Sequence, residues 1–231
     1  MLDWLAGIGA AGAAELAGAA AVTEAGALAR LRVMARDGLV EQKRLLAGEP
    51  ALWLITRRGL REAGRTELDV QRVSSAGFSH LGACARVARA LETALEGRFT
   101  VHSERELRAW ERGGRLLASA ELGYGRAPER HRPDLVCVAL ERRALPIAVE
   151  VELTVKAPER LAAIVRGWAR SRRVAGVVYY ATPAVVRALG RAIDAEQAAP
   201  AVAVLDLACA GQVPQEFLGP RRSTSPNPRA P

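Results

Sequence analysis

Aromatic side chains are scarce: four Trp, three Tyr and three Phe make up 4% of 231 residues. Lysine is scarcer still. Only Lys43 and Lys156 stand among 33 basic residues, the rest being arginine, so each lysine singles itself out. The three cysteines, Cys84, Cys137 and Cys209, are odd in number and form no CxxC pair, so neither a disulfide framework nor a zinc site follows from their pattern. His80, His102 and His131 are scattered, and none is expected at ligand spacing from another or from a cysteine. No uncharged run approaches the ~18 residues of a membrane span. The apolar N-terminus, MLDWLAGIGAAGAAELAGAAAVTEAG, lacks a basic leader region and is interrupted by Asp3, Glu15 and Glu24. A cytoplasmic protein without membrane association is expected. Glycines around 112–125 match neither GxGxxG nor a P-loop, which leaves nucleotide binding unsupported.

What is present is an apolar fraction of 50%, ample for a packed core, and a formal charge of +8. The charge is uneven. Residues 1–66 carry nine basic and seven acidic side chains, 67–155 thirteen of each, and 156–231 eleven against five. A neutral middle with basic ends suits a protein that holds polyanions at its periphery.

Residues 1–66 read as helices followed by a hairpin. Short Ala/Leu-rich helices over 2–9 and 13–20 are separated by a turn at Ala10–Gly12. A third helix, with Thr23 as N-cap, runs to Arg36 with Leu28, Leu31, Val33 and Met34 as its apolar stripe. Leu39–Leu46 and Ala51–Ile55 read as two strands, and Thr56 caps a last helix closed by Gly64. This order resembles a winged helix-turn-helix, which implies a third helix in the major groove and a hairpin against phosphates. The groove-facing candidates are Thr23, Glu24, Ala27 and Arg30, with Lys43 and Arg44 on the wing. The same domain type also serves as a protein-docking or dimerisation module.

Residues 67–78 mix charge, Ser and Gly without periodicity and read as a linker. Residues 211–231, with four of the twelve prolines in the last dozen positions, read as a disordered basic tail. Between them, 79–210 alternate as α-β-(α)-β-β-α-β-α-β, an α/β (α+β) domain with a mixed sheet.

The informative stretch is HRPDLVCVALERRALPIAVEVELTVKAPERL. In its second strand Ile147, Val149, Val151, Leu153 and Val155 share one face; Glu150, Glu152, Thr154 and Lys156 share the other. Asp134 opens the neighbouring strand and can face Glu150 or Glu152. Three converging acids suit a hard cation such as Mg²⁺. The string also fits a half-exposed antiparallel strand with a solvated Glu/Thr/Lys face. Against that stands the following helix and the apolar strand GVVYYA, which suggest a sheet covered on both faces.

Pro133-Asp134 and Glu150-Val151-Glu152 resemble the core of the PD-(D/E)xK nuclease superfamily. Joined to the N-terminal winged helix, the chain resembles the replication-relaxation family over most of 10–195. The resemblance implies a Mg²⁺- or Mn²⁺-dependent DNA nickase or endonuclease serving plasmid or mobile-element DNA. Asp134, Glu150 and the Val151 carbonyl would hold the metal, and Glu104 would match an acid on an early helix, with Glu92 and Glu96 as rivals. The chain departs from the pattern at Glu152, which stands where the family has lysine; Lys156 is a candidate replacement. Lys156 or Glu152 would handle the attacking water, while Arg160, Arg166, Arg170, Arg172 and Arg173 would bind flanking phosphates. The implied partner is DNA, with a homodimer or other replication or mobilisation proteins beside it. The alternative is a non-catalytic winged-helix DNA-binding or regulatory protein with a degenerate nuclease-like domain.

Overall fold

The computed structural model describes residues 1–123, 129–141 and 144–219. The chain is a mixed α/β fold with a mixed sheet and several helices. It begins with helix α1 (Leu2–Ile8), strand β1 (Ala10–Ala11), helices α2 (Ala13–Ala19) and α3 (Glu24–Arg36), strands β2 (Val40–Lys43) and β3 (Leu52–Ile55), and helix α4 (Arg57–Glu62). These strands form an antiparallel sheet in the order β1-β3-β2. The expected turn at Ala10–Gly12 therefore carries a strand. Gly9, at φ 92°, ends α1 in a conformation open to glycine and turns the chain alongside Trp53 and Leu54. The Thr23 and Thr56 side chains accept from Gly26 N–H and Gly59 N–H, capping α3 and α4. Leu5, Leu16, Leu31, Trp53, Ile55 and Leu60 fill the core beneath. Val33, expected on the stripe of α3, is 45% exposed.

Residues 67–78 do not form a free linker. Leu68 is buried in the N-terminal core, and its carbonyl accepts from the Arg57 guanidinium at 3.1 Å. Helix α5 (Ser75–Ala94) begins within the segment, its N-terminus capped by Ser74. Phe78, on its first turn, packs against Leu52 and Leu54.

The larger part continues with strand β4 (Phe99–Ser103), helix α6 (Glu104–Arg112) and strands β5 (Ala120–Leu122), β6 (Glu129–His131), β7 (Leu135–Ala139) and β8 (Ile147–Glu152). Helix α7 (Pro158–Arg170), strand β9 (Gly176–Ala181), helix α8 (Pro183–Ala195), strand β10 (Val202–Asp206) and helix α9 (Gln215–Leu218) complete it. Five strands form one sheet in the order β10-β9-β8-β7-β4. The β4/β7 and β7/β8 pairs are antiparallel; β8/β9 and β9/β10 are parallel. Strands β5 and β6 pair separately, apart from the large sheet.

The large sheet is covered on both sides. Val87, Leu91 and Leu95 of α5 pack with Val149, Val151 and Tyr180 on one face. Leu161 and Trp168 of α7 and Leu189 of α8 pack with Ala148, Val177 and Tyr179 on the other. All six residues of β8 are buried, which the half-exposed-strand alternative does not allow. The strand stops at Glu152, however. Val155, expected on its apolar face, lies beyond its end and is 54% exposed.

The expected tail begins later than residue 211. Phe217 of α9 is buried against Gly176, where a Cβ would come within 2.3 Å of its ring. Residues 211–219 thus belong to the folded body; 220–231 lie outside the described residues. The N-terminal helices are fastened to that body. Ser103 Oγ donates to the Gly7 carbonyl and the Arg105 guanidinium to the Ala6 carbonyl, each at 2.7 Å. These carbonyls belong to the last turn of α1, where intrahelical donors have run out.

Candidate functional site

Asp134 stands just before β7, one residue beyond the last β7/β8 pair, Leu135↔Val149. Pro133 before it cannot supply a ladder N–H, and the chain leaves the strand register there. The Asp134 carboxylate bridges strand and helix: Oδ2 accepts from Val151 N–H at 2.8 Å, and Oδ1 lies 3.0 Å from His80 Nε2 on α5. Its own carbonyl accepts from Glu104 N–H at 2.8 Å, which places the start of α6 beside it. The Glu104 carboxylate is paired with Arg108 at 2.7 Å. Its rival Glu92 accepts from the Trp4 indole at 2.7 Å, in a different part of the molecule.

Glu150 is 4% exposed on the face beneath α7. Its Oε1 meets His131 Nε2 at 2.6 Å and accepts from the Trp168 indole N–H at 3.0 Å. Burial raises the Glu150 carboxyl above its ordinary range against the opposing pull of His131. Burial would lower the His131 imidazole, but Glu150 outweighs it and the net shift is upward. Tyr179, paired with Glu150 across the β8/β9 ladder, buries a hydroxyl beside Trp168 that has no well-aligned hydrogen-bond partner among the described residues. Glu152 is 7% exposed and ion-paired with Lys156, which reaches back from the loop after β8 rather than along the strand.

The three acids expected to converge are thus each met by a different basic partner: Asp134 by His80, Glu150 by His131 and Glu152 by Lys156. The group that does bring three ligand atoms together among the described residues is His80, Cys84 and Asp134, all within 4.8 Å of one another. Cys84 Sγ lies 3.4 Å from His80 Nε2. This overturns the reading of the histidines as lacking ligand spacing. His80 and Cys84 are four apart on α5, hence one above the other on the same helix face. Asp134 holds the His80 imidazole pKa above its ordinary value, against burial; burial raises the Cys84 thiol well above its own.

No family model matches the chain. No curated protein and no solved structure matches it either.

His80, Cys84 and Asp134 open onto a cleft of about 550 Å³ between the N-terminal helices and the large sheet. Ile8 and Ala10 line one wall; Glu104, Arg105 and Arg108 line another. Burial pulls the Arg105 guanidinium down to about 10, against the nearby Glu106 carboxylate, which leaves it charged at neutral pH.

The expected DNA-binding residues divide. Glu24, Arg30 and Arg44 are exposed, as are Arg32 and Arg36 on α3. Thr23 is exposed but occupied as the α3 cap, and Lys43 is paired with Glu41 at 3.0 Å. Ala27, expected in the groove, is fully buried because the α3 face bearing Leu31 packs inward. Arg160 makes a two-pronged pair with Glu129 at 2.9 and 2.7 Å, and Arg166 does so with Glu196, both bonds at 2.6 Å.

Sequence reasoning missed His80, Cys84, His131 and Trp168. The i, i+4 spacing of His80 and Cys84 was a readable signal. His131 lies on a three-residue polar strand, ERH, too short to show alternation.

Proposed function

We propose that the protein acts on DNA: a winged helix over residues 1–66 holds the duplex, and a PD-(D/E)xK-like centre at the β7/β8 end cleaves a phosphodiester bond. The reading keeps the replication-relaxation type expected from sequence. The observation that carries it is Glu150, a carboxylate buried inside a sheet covered on both faces, on the strand whose Val151 N–H binds the Asp134 carboxylate. A buried acid there is costly unless it serves a site.

The donor set suits a divalent cation in kind. Asp134, just before β7, and Glu150, on the neighbouring β8, are carboxylates, and the Val151 carbonyl shares the strand edge of the N–H that donates to Asp134. The Tyr179 hydroxyl, without a well-aligned partner among the described residues, is a further buried polar atom on the Glu150 side. Asp134, Glu150 and Val151 would hold Mg²⁺ or Mn²⁺, which supplies charge stabilisation at the scissile phosphate and a more acidic water. The chain's own residues prepare the centre. His80 and His131 balance the two carboxylates, and Trp168 fixes the Glu150 rotamer. In this reading Lys156, ion-paired with Glu152, supplies the ammonium that the superfamily pattern carries at position 152.

A second reading is favoured by a specific observation. Asp134, Glu150 and Glu152 each already have an internal basic partner, as in a domain that binds DNA without cutting it.

Nicking of supercoiled plasmid in Mg²⁺ or Mn²⁺ separates the two, with wild type beside Asp134→Ala and Glu150→Ala. The cleavage reading expects metal-dependent nicking that falls at least ~100-fold in both variants. DNA binding without nicking in any of the three chains supports the second reading. Nicking that survives both substitutions overturns the assignment of the centre.

A further inference from the structure

We propose a second metal position at the His80–Cys84–Asp134 cluster, selective for a borderline cation of the zinc type rather than for Mg²⁺. It does not rest on cleavage activity, although it shares Asp134 with that reading.

Geometry carries the proposal. A tetrahedral ion with sulfur at ~2.3 Å and nitrogen and oxygen at ~2.0–2.2 Å sets its ligand atoms about 3.3–3.6 Å apart. Here sulfur and nitrogen are 3.4 Å apart, nitrogen and oxygen 3.0 Å, and all three atoms lie within 4.8 Å of one another. Small side-chain adjustments close the difference. One nitrogen, His80 Nε2, faces both the thiol and the carboxylate. It can serve only one of them through a proton, whereas an ion in the middle serves both.

The supports are rigid. His80 and Cys84 stand one turn apart in the middle of a 20-residue helix, and Asp134 Oδ2 is pinned by Val151 N–H. A thiolate and a carboxylate offset the charge of a divalent ion, so the loaded site is electrically neutral. Thiolate and imidazole select zinc-type ions over Mg²⁺, which prefers oxygen. Three protein ligands leave a fourth position facing the cleft beside Arg105 and Arg108. That is the layout of zinc sites that keep a water, not of closed structural ones.

The test is titration of the metal-stripped full chain with Co²⁺, read by absorption. We expect one equivalent to bind with a near-ultraviolet sulfur-to-cobalt charge-transfer band and visible bands of four-coordinate strength. Zn²⁺ should displace the Co²⁺ stoichiometrically, and a large excess of Mg²⁺ should not. Cys84→Ser should abolish the charge-transfer band, and His80→Ala should weaken binding about 100-fold or more. Cys209→Ser should change neither, and circular dichroism checks that each variant is folded. The proposal is overturned by absence of the band in wild type, by its survival in folded Cys84→Ser, or by ready displacement with Mg²⁺. Glu150→Gln keeps the two readings apart: it should remove nicking and leave the cobalt spectrum intact.

Discussion

Glu106 is an acid in the interior whose neighbours settle its charge. Burial alone would raise its carboxyl, but His102, the Arg65 guanidinium and the Ser103 backbone N–H outweigh it and hold it down to about 2 from 4.5. The folded state therefore favours the ionised form. The associated stability is fully present above about pH 4.5 and is lost as the pH falls through about 2. It amounts to about 3 kcal/mol. In a melting series from pH 7 to pH 2, Glu106→Gln should lie well below wild type at pH 7, and the gap should close as acid is added. A gap independent of pH would refute this account. Ser103 and Glu106 form a capping box, a local pattern legible in the sequence. The Arg65 partner was not, because 41 residues separate it from Glu106 and only the fold brings them together. Asp134 and His80 pose the same problem across 54 residues.

At the scale of elements, α3 and α7 both carry arginines suited in type to phosphate, but their surroundings differ. Arg30 and Arg32 on α3 are exposed, whereas Arg160 and Arg166 on α7 are already matched by Glu129 and Glu196. If α3 meets DNA, each of Arg30→Ala and Arg32→Ala should lower the slope of log affinity against log salt by about 1. Arg160→Ala should leave the slope unchanged. Equal effects at all three positions would place the DNA elsewhere. The long periodic elements, α3, α7, β8 and β9, were legible because their apolar spacing repeats often enough to show. Strands β1 and β6, of two and three residues, have no period to read. The packed path through 67–78 was hidden because its anchors, Leu68, Val70, Val73 and Phe78, follow no regular period in a polar context.

Across the whole molecule, the N-terminal sheet and the large sheet share structure. Ala85 of α5 lies in the N-terminal core, and Trp4 and Ile8 of α1 pack against the core under the large sheet. Such shared packing favours cooperative melting. We expect one transition for the full chain, with coincident near- and far-ultraviolet circular dichroism. Residues 1–66 made alone should lack the sharp, dispersed amide spectrum of a folded domain, since Leu68, Ser103 and Arg105 are missing. A well-dispersed spectrum from that fragment would show that the N-terminal unit is autonomous.

Four consecutive residues at the β4/α6 corner face in different directions. Ser103 and Arg105 hold the end of α1, Glu104 holds the Asp134 carbonyl through its backbone, and Glu106 holds Arg65. This has a consequence for descent. Recombination that exchanged the N-terminal module for another would take one partner from each of three buried or half-buried polar groups, Ser103, Arg105 and Glu106, so module and corner should be inherited as a unit. An insertion of even one residue there would shift the helix anchor and the acid out of step. The corner should tolerate changes of length less well than any exposed loop in the chain.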